Sequence, residues 1–218
     1  MLQRDDVGGP PRLNFEAWRD LLRSNCGGEV EVTAPKVFAG WMRPINACGL
    51  EAASVKIQWG SADLGSFAQR VERTHRDIRL DGADHYLVVF QVAGQSAMTQ
   101  IDQTVQLDVG DVALVDAARP VKYLCRVRSP QWLTLRLPRK SVQSHLGFEP
   151  QGGVSRHNTR AGRALFDLIR DGIDGLTRPC LHATGRLRPR RRVVCTIRST
   201  ADLTRLGQAV RAYLWRDK

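Results

Sequence analysis

Residues 104–123, TVQLDVGDVALVDAARPVKY, decide how this chain reads. Val105, Leu107 and Val109 alternate with Gln106 and Asp108, the period-two pattern of a strand with one face buried. Gly110-Asp111 follows. This pair suits a tight reversal, because Gly takes positive φ without steric cost and an Asp carboxylate accepts from nearby backbone amides. The chain resumes as Val112-Ala113-Leu114-Val115, apolar at every position, which predicts a strand covered on both sides. Arg119-Pro120 marks the next corner. Two strands, a Gly-Asp corner and a Pro corner in so short a stretch are how a small antiparallel barrel or jelly roll turns its sheet, although two strands of any β-domain share these features.

Working outward, Tyr86–Val92 is the most apolar strand of the chain. Arg73–Ile78 reads as an outer strand that enters it through the turn dipeptide Asp81-Gly82. Ala93-Gly94-Gln95-Ser96 turns the chain again, with Met98 and Ile101 on the partner strand. Further upstream, Val55, Ile57 and Trp59 alternate with Ser54, Lys56 and Gln58, and Lys36–Trp41 predicts another strand. Residues 61–72 are ambiguous between helix and strand. Downstream, Tyr123–Val127 and Trp132–Leu137 complete a β region from about residue 30 to 138, with eight or nine strands expected.

Helical spacing appears on either side. Asn14 suits the cap of a helix with Phe15, Trp18, Leu21 and Leu22 on one face, ended by Gly27-Gly28. Ser141 suits the cap of a short helix containing Val142, His145 and Leu146 that stops at Gly147. Thr159 opens a longer one with Ala161, Leu165, Leu168, Ile169 and Ile173 aligned, and Ser199 or Thr200 a last one with Leu203, Leu206, Val210 and Leu214. The fold class expected is mainly β with flanking helices (α+β). Residues 1–14 read as a flexible arm, 15–175 as the folded body and 176–218 as a basic tail.

The formal charge of +11 sits in that tail. Residues 1–175 hold 22 Lys and Arg against 20 Asp and Glu, whereas residues 176–218 hold 11 against 2. A basic-patch argument for nucleic acid therefore rests on the tail alone. No run approaches the roughly 18 apolar residues of a membrane span, and the N-terminus has no apolar signal segment, so a cytoplasmic protein is expected. The five cysteines, at 26, 48, 125, 180 and 195, form no CxxC pair. Reduced, mostly buried thiols are expected.

Taken together, residues 71–123 (VERTHRDIRLDGADHYLVVFQVAGQSAMTQIDQTVQLDVGDVALVDAARPVKY) resemble the N-terminal, cupin-like regulatory domain of AraC-type transcription regulators, in the AraC-binding-like branch. The matching features are Arg73-Thr74-His75-Arg76, Asp84-His85-Tyr86, Gly94, Val109-Gly110-Asp111, Arg119-Pro120 and Leu137-Pro138-Arg139. The similarity spans roughly residues 15–175. It implies a cupin-like jelly-roll barrel that binds a small-molecule effector, followed by helices used for dimerisation. The family's helix-turn-helix DNA reader normally follows. Leu203–Trp215 resembles the linker helix before that reader, so the sequence reads as a truncated regulator without sequence-specific DNA binding of its own. The Arg-rich shift after Gly175 also fits an altered reading frame. A homodimer, or a heterodimer with a full-length relative, is the partner expected.

Ligand-lining candidates are Trp59, His75, Tyr86 and Tyr123, because each joins apolar area to a polar tip. Each also fits a core or rim residue with satisfied hydrogen bonds. An alternative is a metal-dependent cupin enzyme, whose site needs several His plus a carboxylate. The chain has no HxH pair, His75 and His85 stand ten residues apart, and the strand 121–127 holds no His. Neither a GxSxG elbow nor a P-loop occurs. No enzymatic activity, metal or cofactor is expected. A second alternative is non-specific phosphate contact through Arg186, Arg188, Arg190, Arg191 and Arg192, without interleaved aromatic residues for base stacking.

Overall fold

The computed structural model describes residues 10–47, 50–60, 68–150 and 152–155. Most of the predicted arm, the two predicted later helices and the basic tail lie outside the described residues. Asn14 caps α1 (Phe15–Cys26), its side-chain oxygen accepting from the Ala17 amide at 3.0 Å. Gly27, at φ 61°, ends the helix as its amide donates to the Arg23 carbonyl, a left-handed position that glycine takes without strain. Trp18 and Leu22 turn inward, as the helical spacing predicts.

The strands follow as β1 (Glu29–Val32), β2 (Phe38–Ala47), β3 (Leu50–Trp59), β4 (Gln69–Arg73), β5 (His85–Ala93), β6 (Ser96–Gln100), β7 (Gln103–Leu107), β8 (Val112–Asp116), β9 (Val121–Cys125), β10 (Gln131–Pro138) and β11 (Gly153–Ser155). Helix α2 (His75–Asp81) separates β4 from β5, and α3 (Arg139–Leu146) follows β10. All pairings are antiparallel, in sheets ordered β1-β4-β9-β6-β7 and β11-β8-β5-β10-β3-β2. Val89, Ala113 and Val115 of the larger sheet pack with Met98, Leu107 and Val121 of the smaller one. The architecture is the cupin-like jelly roll with flanking helices that the sequence predicts. No helix among the described residues is long and apolar enough to cross a membrane.

The 104–123 stretch behaves as read in one respect and differently in another. Gly110 has φ 90°, and Asp111, fully buried, accepts from the Asp108 amide at 3.1 Å. Every residue of β8 is buried. The corner nevertheless does not make a hairpin: β7 pairs with β6, and β8 pairs with β5 in the other sheet. Val109 lies in this crossover, 50% exposed, rather than on the buried face. Gly94 makes a second crossover, so Met98 pairs with Tyr123 and Val105 instead of with β5. Ile101 is not in a strand. With Asp102 it occupies positive φ, 51° and 58°, in the β6–β7 hairpin turn, the backbone of a type I′ turn.

The outer strand expected at 73–78 is corrected by the structure. Only Arg73 ends a strand; Thr74 then caps α2, accepting from the Asp77 amide while Asp77 reaches back to the Thr74 amide. This reciprocal capping box starts a helix in place of the expected outer strand. Gly82, at φ 59°, is its left-handed end rather than a hairpin turn. Ser141 does not cap α3 either, since the helix starts at Arg139 behind Pro138.

Gly40 on β2 passes directly under Trp18. A Cβ there would sit 2.6 Å from the Trp18 ring and 3.2 Å from Phe38. Gly40→Ala is therefore expected to destabilise the fold by about 1–3 kcal/mol through overpacking, read as a lower urea midpoint with an unchanged m-value.

Candidate functional site

A half-open cavity of about 670 Å³ lies between the sheets. Strand alternation builds its wall. The larger sheet contributes Val55, Leu87, Val89, Val115, Trp132 and Thr134, and the smaller one Gln69, Val71, Ser96, Val121, Tyr123 and Cys125. Trp18 of α1 closes one side, its indole N–H donating to Gln69 at 3.0 Å. The wall is thus mostly aliphatic and aromatic, the make-up of a small-molecule site.

One end is polar, where Asn25, Glu51, Arg73, Asp81, His85 and Arg136 meet. Arg73, 6% exposed, donates to both Asp81 oxygens at 2.6 and 2.7 Å, and also to the Cys26 and Ala117 carbonyls. That pairing holds the Asp81 carboxyl below its ordinary range. Arg136 donates to Glu51 at 3.1 Å and to the Asn25 carbonyl at 3.0 Å, linking β10 to β3 and to the end of α1.

Of the four candidates drawn from sequence, Tyr123 lines the cavity. Its hydroxyl oxygen is buried without a hydrogen-bond partner among the described residues, and burial raises the phenol above its ordinary value. Trp59 instead packs in the core, its ring 5.6 Å from Phe38 and its indole N–H buried without a partner. His75 is exposed in the first turn of α2. Tyr86 is fully buried on the opposite face of β5, donating to the Pro150 carbonyl at 3.1 Å and accepting from Arg139 at 2.9 Å. Burial pushes its hydroxyl up to about 12. Arg186, Arg188, Arg190, Arg191 and Arg192 lie outside the described residues.

His85 lines the cavity and was not among those four; its place in the Asp84-His85-Tyr86 motif was the signal for it. Burial lowers its pKa, and the neighbouring cations Arg136, Arg73 and Arg139 add to the effect against the opposing charge of Asp81. Because the folded chain binds this proton less readily than the unfolded one, the folded state loses ground as pH falls below the ordinary imidazole value of 6.5. Urea unfolding is expected to show that decline, with His85→Leu flattening it.

Among the described residues, no three His, Cys, Asp or Glu side chains converge as a metal site would require. Of the described cysteines, Cys125 is buried in the cavity wall and burial pushes its thiol up to about 11, away from nucleophilic use. Cys26, in contrast to the expectation of burial, is exposed.

Residues 18–204 match the family model described as the AraC-binding-like domain. A relative, an uncharacterized protein in the nit 5′ region of Bacillus sp. (strain OxB-1), is 31% identical over 131 residues, covering 57% of this chain and 45% of that protein. The crystal structure of the AraC-like transcriptional activator CuxR matches with a TM-score of 0.66 at 13% identity, over 91% of this chain and 64% of that one. The chain thus spans less than two thirds of the length of either protein. With the family match running through most of the jelly roll and its cavity, the chain belongs to the AraC-binding-like domain family.

Proposed function

We propose that this chain is the effector-sensing part of an AraC-type transcription regulator, acting in the cytoplasm. Residues 15–175 form the sensing unit, a small molecule occupies the cavity between the sheets, and helices beyond the barrel carry dimerisation, with a second copy or a longer relative. The observation that carries this reading is a mostly apolar cavity of about 670 Å³ in a domain of this family.

A route outward supports it. Strands β8, β5 and β10 present Val115, Leu87 and Thr134 to the cavity, while Asp116 and Tyr86, one residue along, meet Arg139 at the start of α3 on the other face. An occupant that shifts these strands also shifts the anchor of α3.

Thermal unfolding with a panel of small metabolites tests the reading. A true effector at about a hundredfold excess over its Kd stabilises the domain by about 3 kcal/mol. Ala53→Phe, which fills the cavity, is expected to remove that response. Equal stabilisation of the filled variant would overturn the assignment of the site. Sedimentation velocity tests the dimer, and a monomer at every concentration would remove it.

A further inference from the structure

Resting on the reading of the cavity as the effector site, we propose that the effector is an uncharged, largely apolar molecule with one hydrogen-bonding head, and that His85 reads that head. The charges at the polar end cancel: Arg73 with Asp81, Arg136 with Glu51. The backbone carbonyls of Cys26, Ala117 and Asn25 occupy further N–H groups of the two arginines. An anionic ligand would therefore bring an unpaired charge into the cavity unless it displaced a carboxylate already in place.

Three uncharged polar side chains of the wall are engaged as well. Ser96 donates to Gln91 at 2.6 Å, Gln69 accepts from Trp18, and Thr134 donates to the Ala53 carbonyl at 3.4 Å. A polyol entering here would leave most of its hydroxyls without partners. His85 differs from these residues. Its imidazole is half-buried, faces the cavity, and makes no hydrogen bond to the described residues. Burial and, after it, the neighbouring cations lower its pKa, which favours the neutral imidazole, with one N–H donor and one acceptor nitrogen for a ligand. The Tyr123 hydroxyl is unpartnered too, but it is fully buried. The ligand's apolar body then lies against Trp132, Val89 and the Tyr123 ring.

The test is displacement of the neutral fluorophore N-phenylnaphthylamine by three compounds of one shape: hydrocinnamamide, hydrocinnamate and isopentylbenzene. The amide is expected to bind about tenfold more tightly than the carboxylate. His85→Leu is expected to weaken the amide about tenfold while leaving isopentylbenzene unchanged, and His85→Asn, which keeps a donor and an acceptor, to restore part of the loss. Tighter binding of hydrocinnamate, no displacement by the amide, or equal weakening of amide and hydrocarbon by His85→Leu would each overturn the proposal. Failure of the fluorophore itself to bind would instead overturn the cavity reading beneath it.

Discussion

Arg139→Ala is expected to lower stability by about 3 kcal/mol, near the bottom of the range for breaking a buried ion pair. The thermal midpoint should fall by about 6–12 °C. Arg139 binds Asp116, donates to Asp84 and Glu149 at 2.5 Å each, and lies 4.5 Å over the Tyr86 ring, with its side chain 11% exposed. Removing it strands Asp116, which is 2% exposed and retains, among the described residues, Arg119 at 3.2 Å and the Ala118 amide. Those survivors keep the cost from running higher. Arg139→Lys should recover little, because an ammonium cannot bridge three carboxylates as a planar guanidinium does. Arg23→Ala is the control: its pair with Glu29 is exposed, and solvent and salt screen such a pair to little net effect. Chemical denaturation of the three variants beside the parent chain decides the matter, and equal losses for Arg23 and Arg139 would show that the hub is not specially stabilising.

Trp18→Ala is expected to cost about 3–5 kcal/mol, the range for emptying a buried aromatic site. Trp18 is 1% exposed, packs 5.8 Å from Phe38 across Gly40, and donates to Gln69, which is itself buried. Because Trp18 also walls the cavity, the void left behind joins open space and has little to collapse onto. Trp18→Phe keeps a ring but leaves Gln69 unpaired. Its loss should be smaller and comparable to a single buried hydrogen bond, about 1–3 kcal/mol. Urea titrations with unchanged m-values would give both numbers, and a loss below that of Trp18→Phe for the Ala variant would refute the packing account.

The resemblance motifs carried more of this than strand periodicity did. Asp84-His85-Tyr86 and Leu137-Pro138-Arg139 lie far apart in sequence, yet Arg139 bonds to Asp84 and Tyr86. Such long-range pairing has no local pattern to betray it. Alternation located the strands but not their sheets, because the corners at Gly94 and Gly110 look alike whether the chain folds back or crosses over. Helix α2 was hidden for another reason. Its seven residues bury no side chain, so no apolar stripe marks it, and the Thr74-x-x-Asp77 capping box was its one local sign. For the site, amphipathic residue type brought out Tyr123, but it equally brought out Tyr86 and Trp59, whose side chains lie outside the cavity wall. Which face of a strand turns inward depends on its partner sheet. His85 escaped because a lone histidine at a strand entrance shows neither its neighbours' charges nor its lack of a partner.

The most direct test of the central claim is a fluorescence titration of N-phenylnaphthylamine into the purified chain and into Ala53→Phe. Saturable binding of one probe per chain, lost in a variant that keeps the parent's circular dichroism, is the predicted result. Absent binding, or binding that persists unchanged when the cavity is filled, would contradict the account of this domain as a small-molecule sensor.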